Sequence, residues 1–593
     1  MRYAVMLVFA ALAGFAWAGV PARANGATLL VNDVAVLTIK TGSGTFTPER
    51  RAEIAAEAIS DSDLFQVTLS REPAYALVKI GERKVLSIDA TEAKAHKASI
   101  DDFAEQVVEK LNGALSAVPF VLSQKKVWMP VGGTAQIQVL GPKASKAYVT
   151  FDDRGPAKAT KDDQMITLTA EYVGECKMTV NLGELRETIS VNVMMPAAEI
   201  GPVPTAYVTG RPADKETVAD AATRAVLQAL KTTPDATVSV TAVSAPQLVP
   251  AQRGTARVHA VVRAPGKYPV DKDLDVDLKN SGMLDVDSEE LWYSNDPERI
   301  TKPERLYWGR LAAGKAARVL YHHVNATNGP MLIRYMLINL SDETARVAVT
   351  LGDAPPHENP TYTGYMAGQE FFPRWERQSA FVVELQPHSV VPVVLESLDP
   401  KKTASGLMAL HSLDGPSVLF IGDAKEDTDP RGIEGNYAQS SPAIDFSEEP
   451  INLVGTAQHV YSPATKKLSV DYVVGKRFGY IRIGQVPVKR LDDDGGLDGN
   501  FGVVYQIETT ISNPTSEPVD VEYVFEASAG YGGAFFRING LVERTPLLQP
   551  KATYRLLRVT LAPGEKKSFY LETIPLSGGS YPVTVTIKPV GVD

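Results

Sequence analysis

The sequence predicts a mainly β protein, in which tandem antiparallel β-sandwiches follow a small N-terminal α+β module. Three observations support this fold class. After residue 117 most of the chain alternates apolar and polar residues in short runs, and turn residues separate these runs. Residues 25–117 also contain two stretches with the apolar spacing of a helix. One long stretch of the C-terminal half occurs twice.

The repeated stretch begins at an Asn that ends a strand-like run. Asn339 is followed by a polar turn and an alternating strand, and Asn513 is followed by the same pattern. A second landmark lies at a nearly equal distance downstream, where a turn after Leu385 corresponds to a turn after Leu561. Because two landmarks keep their spacing, we predict a duplicated domain.

The chain divides into seven segments on these criteria. They are 1–24 (signal peptide), 25–117 (small α+β module), 118–195 (β-sandwich), 196–283 (linker plus second α/β module), 284–425 (first copy of the repeat), 426–449 (linker) and 450–593 (second copy).

The first segment has the pattern of a secretory signal. Arg2 supplies a positive charge, and residues 5–17 form an apolar run that is too short to span a bilayer. Small residues at Ala22 and Ala24 offer a cleavage position, which we prefer to the alternative at Ala16 and Ala18. No later stretch reaches about 18 apolar residues. We therefore predict an exported chain, periplasmic or at the cell surface, without a transmembrane segment.

The next three segments differ in their periodicity. In the α+β module Thr47 and Pro48 start a helix, and residues 99–115 carry an apolar helical stripe. Residues 118–195 change to strand-type alternation. A Pro-rich stretch then precedes a predicted helix at 215–230, which we assign to a second α/β module.

Two of these regions resemble modules of bacterial exported proteins. The alternating runs at 131–139 and 185–193 resemble a bacterial Ig-like domain of the Big type. The Asn turns and the Leu-x-Pro turn at Leu561 resemble CARDB-type and NPCBM-associated domains, although the first copy has His388 where the second has Gly564. The resemblance implies tandem Ig-like antiparallel β-sandwiches and a spacer, adhesion or substrate-docking role.

Composition narrows the function classes. The net charge of −10 argues against nucleic acid as a partner, because phosphate binding needs clustered Lys and Arg. The single cysteine, Cys176, excludes an internal disulfide. The resemblance implies a cell-envelope protein as partner, and the aromatic residues of the first copy leave a glycan open.

Aromatic residues of the first copy are the candidate ligand surface. Exposed aromatic rings would form a platform for a glycan, whereas buried ones would only fill the sandwich core. The candidates are Trp292, Tyr293, Trp308, Phe371 and Trp375.

An acidic turn in the second copy is the candidate metal site, with calcium as the only cofactor considered. Calcium binds several oxygen ligands on a tight turn. The candidate ligands are Asp492, Asp494, Asp498 and Asn500. The competing interpretation is a solvated hairpin loop without a metal.

A second acidic pattern lies on a predicted strand. Asp271, Asp273, Asp275 and Asp277 alternate with other residues, so their carboxylates share one face. We interpret this face as a charged edge strand that blocks aggregation, with a metal site as the alternative.

No catalytic motif is complete in the sequence. His322 and His323 are neighbours on a predicted strand and point to opposite faces, so they cannot chelate one metal. We therefore predict a non-catalytic exported envelope protein with a structural, adhesion or binding role. A carbohydrate-binding accessory module is the first alternative. A glycoside hydrolase is the second, because carboxylate pairs leave no short motif.

Overall fold

The computed structural model describes residues 20–592, apart from 63, 119, 153, 234, 283–288, 428–458 and 492–493. The chain forms two compact units. The N-terminal unit contains residues up to Ala197 together with Pro265–Tyr268, and the C-terminal unit contains Ala198–Ala264 and Pro269–Asp593. The fold is mainly β, with tandem antiparallel sandwiches after a small α+β module, which confirms the predicted fold class.

The N-terminal unit starts with the α+β module. Its elements in chain order are β1 (Ala22–Asn25), β2 (Thr28–Val31), β3 (Val34–Thr38), α1 (Pro48–Ser60), β4 (Thr68–Glu72), β5 (Tyr75–Ile80), β6 (Arg83–Asp89), α2 (Ala90–Ala95) and α3 (Ile100–Ser116). Strands β1-β2-β3 and β4-β5-β6 form two antiparallel sheets. Helix α1 starts where predicted, because the Thr47 side chain accepts a hydrogen bond from the Arg50 N–H.

A buried carboxylate holds this module together. Glu92 is fully buried and accepts hydrogen bonds from the backbone N–H groups of Lys40 (2.9 Å) and Thr41 (3.0 Å). Arg51, itself buried, donates to the same carboxylate at 3.0 Å. Burial alone would raise the pKa of Glu92, but the hydrogen bonds from Thr41 and Lys40, with the charge of Arg51, hold that pKa below its usual value.

The pH dependence of this module follows from the lowered pKa of Glu92. Its contribution to stability is present above the unfolded-state pKa of about 4.3 and is lost as pH falls through the lower folded value. We expect Glu92→Gln to flatten this acid-dependent loss, as measured by hydrogen exchange of α1 and β6 amides between pH 3 and 7. Glu57→Gln, on the exposed face of α1, serves as the control. An unchanged acid profile in Glu92→Gln would contradict the assignment.

The N-terminal unit continues with the β-sandwich predicted for 118–195. Its strands are β7 (Val121–Leu122), β8 (Lys126–Pro130), β9 (Thr134–Leu140), β10 (Tyr148–Thr150), β11 (Ala157–Asp162), β12 (Met165–Ala170), β13 (Gly174–Leu182) and β14 (Leu185–Met194). Sheets β10-β13-β14-β8 and β11-β12-β9-β7 enclose a core of alternating strand residues such as Ile137, Ile166 and Ile189. Cys176 lies on β13 as a free, half-buried thiol.

The C-terminal unit begins with the region that leads into the first copy of the repeat. Its elements are β15 (Ala198–Ile200), β16 (Ala206–Thr209), α4 (Lys215–Ala229), β17 (Leu230–Thr232), β18 (Thr237–Ser244), β19 (Arg253–Arg263) and β20 (Val270–Asn280). Strand β17 pairs with β15, whereas β18-β19-β20-β16 are consecutive strands of a larger sheet.

The first copy adds eleven elements. They are β21 (Glu289–Ser294), β22 (Arg299–Ile300), β23 (Glu304–Leu311), β24 (Ala316–Asn325), β25 (Met331–Ile338), β26 (Ala345–His357), α5 (Pro360–Glu376), β27 (Ala380–Leu385), β28 (Val390–Leu398), β29 (Thr403–Asp414) and β30 (Val418–Glu426). One face of this sandwich is the large sheet β18-β19-β20-β16-β27-β26-β29-β24-β21, and the other is β23-β30-β25-β28.

The large sheet changes the interpretation of residues 196–283. These residues do contain the predicted helix, α4, but their strands continue the sheet of the first copy through the pairing of β16 with β27. Among the described residues, β16 pairs only with Leu278–Asn280 of β20, so the part of β20 with the four aspartates has a strand partner on one side alone, β19, as predicted for an edge strand. The four carboxylates do share an exposed face, where Arg257 and His259 of β19 bond to Asp275 (3.1 Å) and Asp273 (2.8 Å).

The second copy contributes the remaining strands. They are β31 (Val460–Tyr461), β32 (Thr465–Val473), β33 (Gly479–Ile483), β34 (Val488–Lys489), β35 (Gly496–Leu497), β36 (Val504–Ser512), β37 (Val519–Glu526), β38 (Phe535–Ile538), β39 (Leu541–Arg544), β40 (Thr553–Leu561), β41 (Lys566–Thr573) and β42 (Val583–Pro589). Its sheets are β32-β36-β41-β38-β39 and β33-β42-β37-β40, and β34 pairs with β35. The predicted linker over 426–449 lies outside the described residues from 428 onward.

The two copies share a common strand order. In the first, β24-β29-β26-β27 are neighbours in one sheet and β25-β28 in the other. In the second, β33-β42-β37-β40 and β36-β41 hold the corresponding positions. The copies differ next to β25 and its counterpart β36. In the first copy β30 pairs with β25 and separates it from β23, whereas in the second copy β32 pairs directly with β36.

The two landmark asparagines make the same hydrogen bonds. Asn339 donates to the carbonyls of Glu343, Leu385 and Gln386, and its side-chain oxygen accepts from the Ser341 N–H. The second copy repeats this pattern residue by residue, with Asn513 bonded to Glu517, Leu561, Ala562 and Thr515. Each buried amide thus joins the turn after its own strand to the turn between two later strands.

The turn has the same backbone conformation in both copies, although the first has His388 where the second has Gly564. His388 has φ 52° and Gly564 has φ 71°, so both copies place a left-handed residue here. The His388 side chain lies 2.8 Å from Asp342.

Candidate functional site

The two copies of the repeat share one apolar core inside the C-terminal unit. Leu320, Leu407 and Phe372 of the first copy pack in the same cluster as Phe535 and the other core residues of the second copy. Helix α5 carries this contact. A Cβ on Gly364 would lie 1.9 Å from the Ser577 carbonyl oxygen, so only glycine allows the helix to approach so closely.

Polar contacts reinforce this interface. Arg318 of β24 is 1% exposed and donates to the carbonyl of Gly502 at 2.7 Å, with a longer bond to Ala464. The Tyr365 hydroxyl of α5 donates to the Thr545 carbonyl at 2.5 Å. Because buried backbone carbonyls need partners, these side chains fix the second sandwich against the first.

A cavity of about 460 Å³ lies at this interface. The large sheet of the first copy, the C-terminal end of α5 and the second sandwich each contribute residues to its lining. The charged, polar and aromatic side chains that line it include Glu289, Arg318, Trp375, Glu376, His411, Gln506, Arg537 and Glu572. Of these, Gln506, Glu572 and Arg537 are cross-strand neighbours on β36, β41 and β38.

The charges in the cavity are mutually paired. Arg318 donates to the carboxylate of Glu289. Arg537 donates to Glu376 at 3.2 Å and also to Glu572, so one guanidinium bridges the helix end and the second sandwich. Both guanidinium groups therefore already have carboxylate partners.

Several buried polar atoms around the cavity lack a hydrogen-bond partner. Within the described residues these include both ring nitrogens of His411, one carboxylate oxygen of Glu289 and the Nε of Arg318. Burial, with the nearby charge of Arg318, lowers the pKa of His411 to about 4, so its ring is neutral at pH 7. Burial raises the pKa of Glu289, and Arg318 opposes this shift. Unpaired buried polar atoms are uncommon in folded proteins and concentrate at sites with a function.

The aromatic residues predicted from the sequence do not form one surface. Trp292 and Phe371 are buried in the core, where Trp292 packs against Tyr307 and Phe420. Tyr293 and Trp308 are half-buried and line a separate cavity of about 180 Å³. Of the five, only Trp375 lines the cavity between the sandwiches, where its ring lies 5.5 Å from the Arg318 guanidinium.

The predicted calcium ligands differ in their exposure and in their contacts. Asp492 lies outside the described residues, whereas Asp494 and Asp498 are exposed. The buried Asn500 amide donates to the Val486 carbonyl and accepts from the Val488 N–H, so it supports the fold. In the part of the chain that the structure describes, no three His, Cys, Asp or Glu residues are grouped to hold a metal. Calcium binding stays a prediction.

One Ser–His pair has the composition of a nucleophile and its base. The Nε2 of His323 lies 3.2 Å from the Ser294 hydroxyl, while its Nδ1 lies 2.8 Å from the Pro297 carbonyl oxygen. The Tyr335 hydroxyl lies 2.8 Å from the same serine. All three side chains are sealed in the first sandwich, and burial lowers the pKa of His323 to about 4. A solvent-borne substrate does not reach this pair, which acts as a core hydrogen-bond network.

Sequence reasoning missed the cavity because its residues come from distant strands. Only a weak signal was present, namely a charged residue inside an apolar strand. Arg318 lies between Ala317 and Val319, and Glu572 follows Leu571. A buried charge in such a position requires a partner, and the partner here belongs to another strand.

Comparison with known proteins gives matches to structures only. No known family model matches the chain, and no curated protein matches its sequence. Among solved structures, domains 4 and 5 of the S-layer protein SbsC are 15% identical, with a TM-score of 0.12, over 20% of this chain and 65% of that chain. A titin tandem of immunoglobulin domains is 13% identical, with a TM-score of 0.11, over 27% of this chain and 93% of that chain.

A hydrolase structure matches a larger share of this chain than either of these two. An endo-fucoidan hydrolase from glycoside hydrolase family 107 is 8% identical, with a TM-score of 0.14, over 51% of this chain and 46% of that chain. Among the described residues, no helix is both long and apolar enough to cross a membrane.

Proposed function

We propose that this protein is a non-catalytic, exported binding module of the cell envelope that holds its ligand in the cavity between the two sandwiches. The observation that carries the proposal is that three residues lining one cavity, His411, Glu289 and Arg318, each have a buried polar atom without a hydrogen-bond partner. A site that is pre-formed by rigid strands and lined by a few such groups is typical of ligand recognition.

The arrangement of the carboxylates supports binding rather than hydrolysis. A glycosidase needs one carboxyl group that is free to donate a proton and a second that acts as base or nucleophile. Glu376 and Glu572 are both bonded to Arg537, and Glu289 is bonded to Arg318. Each of these carboxylates is thus held by an arginine of the protein rather than left free for a substrate, which opposes a role as general acid or nucleophile.

Export is proposed from the signal-like segment. For its cleavage we propose the position after Ala18 in place of the one after Ala24 that the sequence suggested, and the contacts of the first described residues support this choice. Cleavage after Ala24 would remove Val20, which is buried, and three of the four residues of β1. The Ala22 carbonyl also accepts a hydrogen bond from Ser60 of α1. Cleavage after Ala18 would keep these contacts. Periplasmic or cell-surface location, Big-type and CARDB-type modules, and an envelope protein or glycan as partner belong to the same proposal.

A cavity-blocking variant tests the proposal. The purified chain from residue 19 would be screened by thermal shift against saccharides, peptides and envelope fragments, in parallel with glycosidase and esterase substrates. We expect at least one ligand to raise the unfolding temperature of the wild type without turnover. Gln506→Trp, which fills the cavity, should abolish this shift, while Thr510→Trp, on the same face of β36 but outside the cavity lining, should retain it.

Two results would contradict the proposal. Hydrolysis that disappears in Glu376→Gln or Glu572→Gln would show an enzyme. A ligand shift that Gln506→Trp leaves intact would place binding elsewhere in the chain.

A further inference from the structure

We propose that the ligand of the inter-sandwich cavity is a short neutral saccharide. This inference rests on the proposed function, because it names the class of ligand for the same cavity. Three properties of the lining lead to it, namely its paired charges, its balanced set of unpaired donors and acceptors, and its size with an aromatic side chain at the edge.

The paired charges disfavour an ionic ligand. Arg318 is bonded to Glu289, and Arg537 is bonded to Glu376 and Glu572. An anionic ligand would meet guanidinium groups whose charge a carboxylate already balances, and a cationic ligand would meet carboxylates whose charge a guanidinium already balances. The cavity therefore offers little net charge to attract an ion.

The unpaired atoms form a balanced set. The Nε of Arg318 is a donor, the free oxygen of Glu289 is an acceptor, and the neutral ring of His411 offers one donor and one acceptor. Two donors and two acceptors match a ligand whose groups both give and accept hydrogen bonds. Hydroxyl groups have this property, and a saccharide ring carries several of them on a rigid frame.

The volume of the cavity and the side chains that line it are compatible with a small saccharide ring. A cavity of about 460 Å³ lies within the range of roughly 300–1,000 Å³ that small-molecule sites occupy. Trp375 borders it, and an aromatic side chain supplies apolar surface for the C–H groups of a sugar. Thr350, Gln378 and Gln506 add neutral polar groups to the wall.

Binding requires small side-chain movements. The unpaired atoms of His411, Glu289 and Arg318 are shielded from solvent in the structure. A ligand that enters the cavity must therefore draw these side chains toward it, as commonly happens with interface rotamers. Replacing His411 by phenylalanine keeps the ring volume but removes both unpaired nitrogens. Because the removed atoms have no partners in the protein, the stability without ligand should be unchanged or higher.

The test is a calorimetric titration of the mature chain with defined probes. The neutral probes are glucose, galactose, mannose, xylose and disaccharides of glucose. The charged probes are glucuronate and glucosamine, and diglycine represents a peptide. The wild type is compared with His411→Phe and Gln506→Trp. His322→Phe serves as the matched control, because His322 is also buried and has an unpaired ring nitrogen but does not line the cavity.

We expect at least one neutral saccharide to bind, with affinity at least tenfold weaker in His411→Phe, abolished in Gln506→Trp and unchanged in His322→Phe. Binding only of charged probes or diglycine, sensitive to Gln506→Trp, would overturn the saccharide inference while leaving the proposed function intact. Saccharide binding that is unaffected by both cavity variants would overturn the assignment of the site. Absence of binding by every probe would contradict both proposals, and a lower unfolding temperature of His411→Phe would contradict the unpaired state of its ring.

Discussion

Replacing Arg318 with alanine is expected to lower the free energy of unfolding of the C-terminal unit by about 3–5 kcal/mol. Arg318 is 1% exposed, donates to the Gly502 carbonyl of the second sandwich, and neutralises Glu289 in the first. Alanine would leave a buried carboxylate without its cation and a buried carbonyl without its donor. The loss should be measured by denaturant unfolding of the full chain, followed by hydrogen exchange in the C-terminal unit.

Two matched variants separate the buried ion pair from charge removal in general. Arg346→Ala removes an arginine from an exposed pair with Asp414, for which about 0–1 kcal/mol is expected. The double variant Arg318→Met with Glu289→Gln removes both buried charges together, so it should lose less stability than Arg318→Ala. If Arg318→Ala behaved like Arg346→Ala, the ion pair would not hold the two sandwiches together.

Alanine at either landmark asparagine should cost about 2–4 kcal/mol, because several buried backbone groups lose their partners at once. Asn339 and Asn513 make corresponding sets of bonds, so the two losses should be similar. The measurement is the change in denaturant midpoint for each single variant. Asn328→Ala, in the turn between β24 and β25, is the control, because the Asn328 side chain is exposed.

Aspartate at the same positions refines this test. Asp keeps a side-chain oxygen for the Ser341 or Thr515 N–H but cannot donate to the three carbonyls. We therefore expect Asn339→Asp and Asn513→Asp to be destabilising as well. Large loss in one copy and none in the other would contradict the structural equivalence of the two turns.

The sequence was sufficient for features that depend on local alternation. The exposed aspartates of β20 and the buried residues of β13 and β14 follow directly from period-two patterning. The paired landmarks at Asn339 and Asn513 predicted a repeat because a buried Asn that satisfies several carbonyls restricts both the residue and its spacing. Asn325 forms a third turn of this kind, in which its side chain donates to the carbonyls of Gly329 and Leu398. The sequence comparison missed it because no asparagine of the second copy was matched to Asn325.

Features that depend on distant contacts were not accessible from the sequence. Helix α5 was missed, although Asn359 and Pro360 supply its N-terminal signals, because its glycines and aromatic residues weaken the helical pattern. Those glycines are explained only by the close approach to the second sandwich. Likewise, the cavity combines residues from β21 to β41, and no local pattern connects strands that meet only after folding.

Hydrogen exchange across a denaturant series tests the central claim most directly, which is that the two sandwiches form one cooperative body around the cavity. The amides to compare lie in β24 and β29 of the first sandwich and in β36 and β41 of the second. The shared core and the buried bonds of Arg318 predict that both sets lose protection at the same denaturant concentration. Loss of protection in β36 and β41 at clearly lower denaturant, while β24 and β29 stay protected, would show two independent domains and contradict that claim.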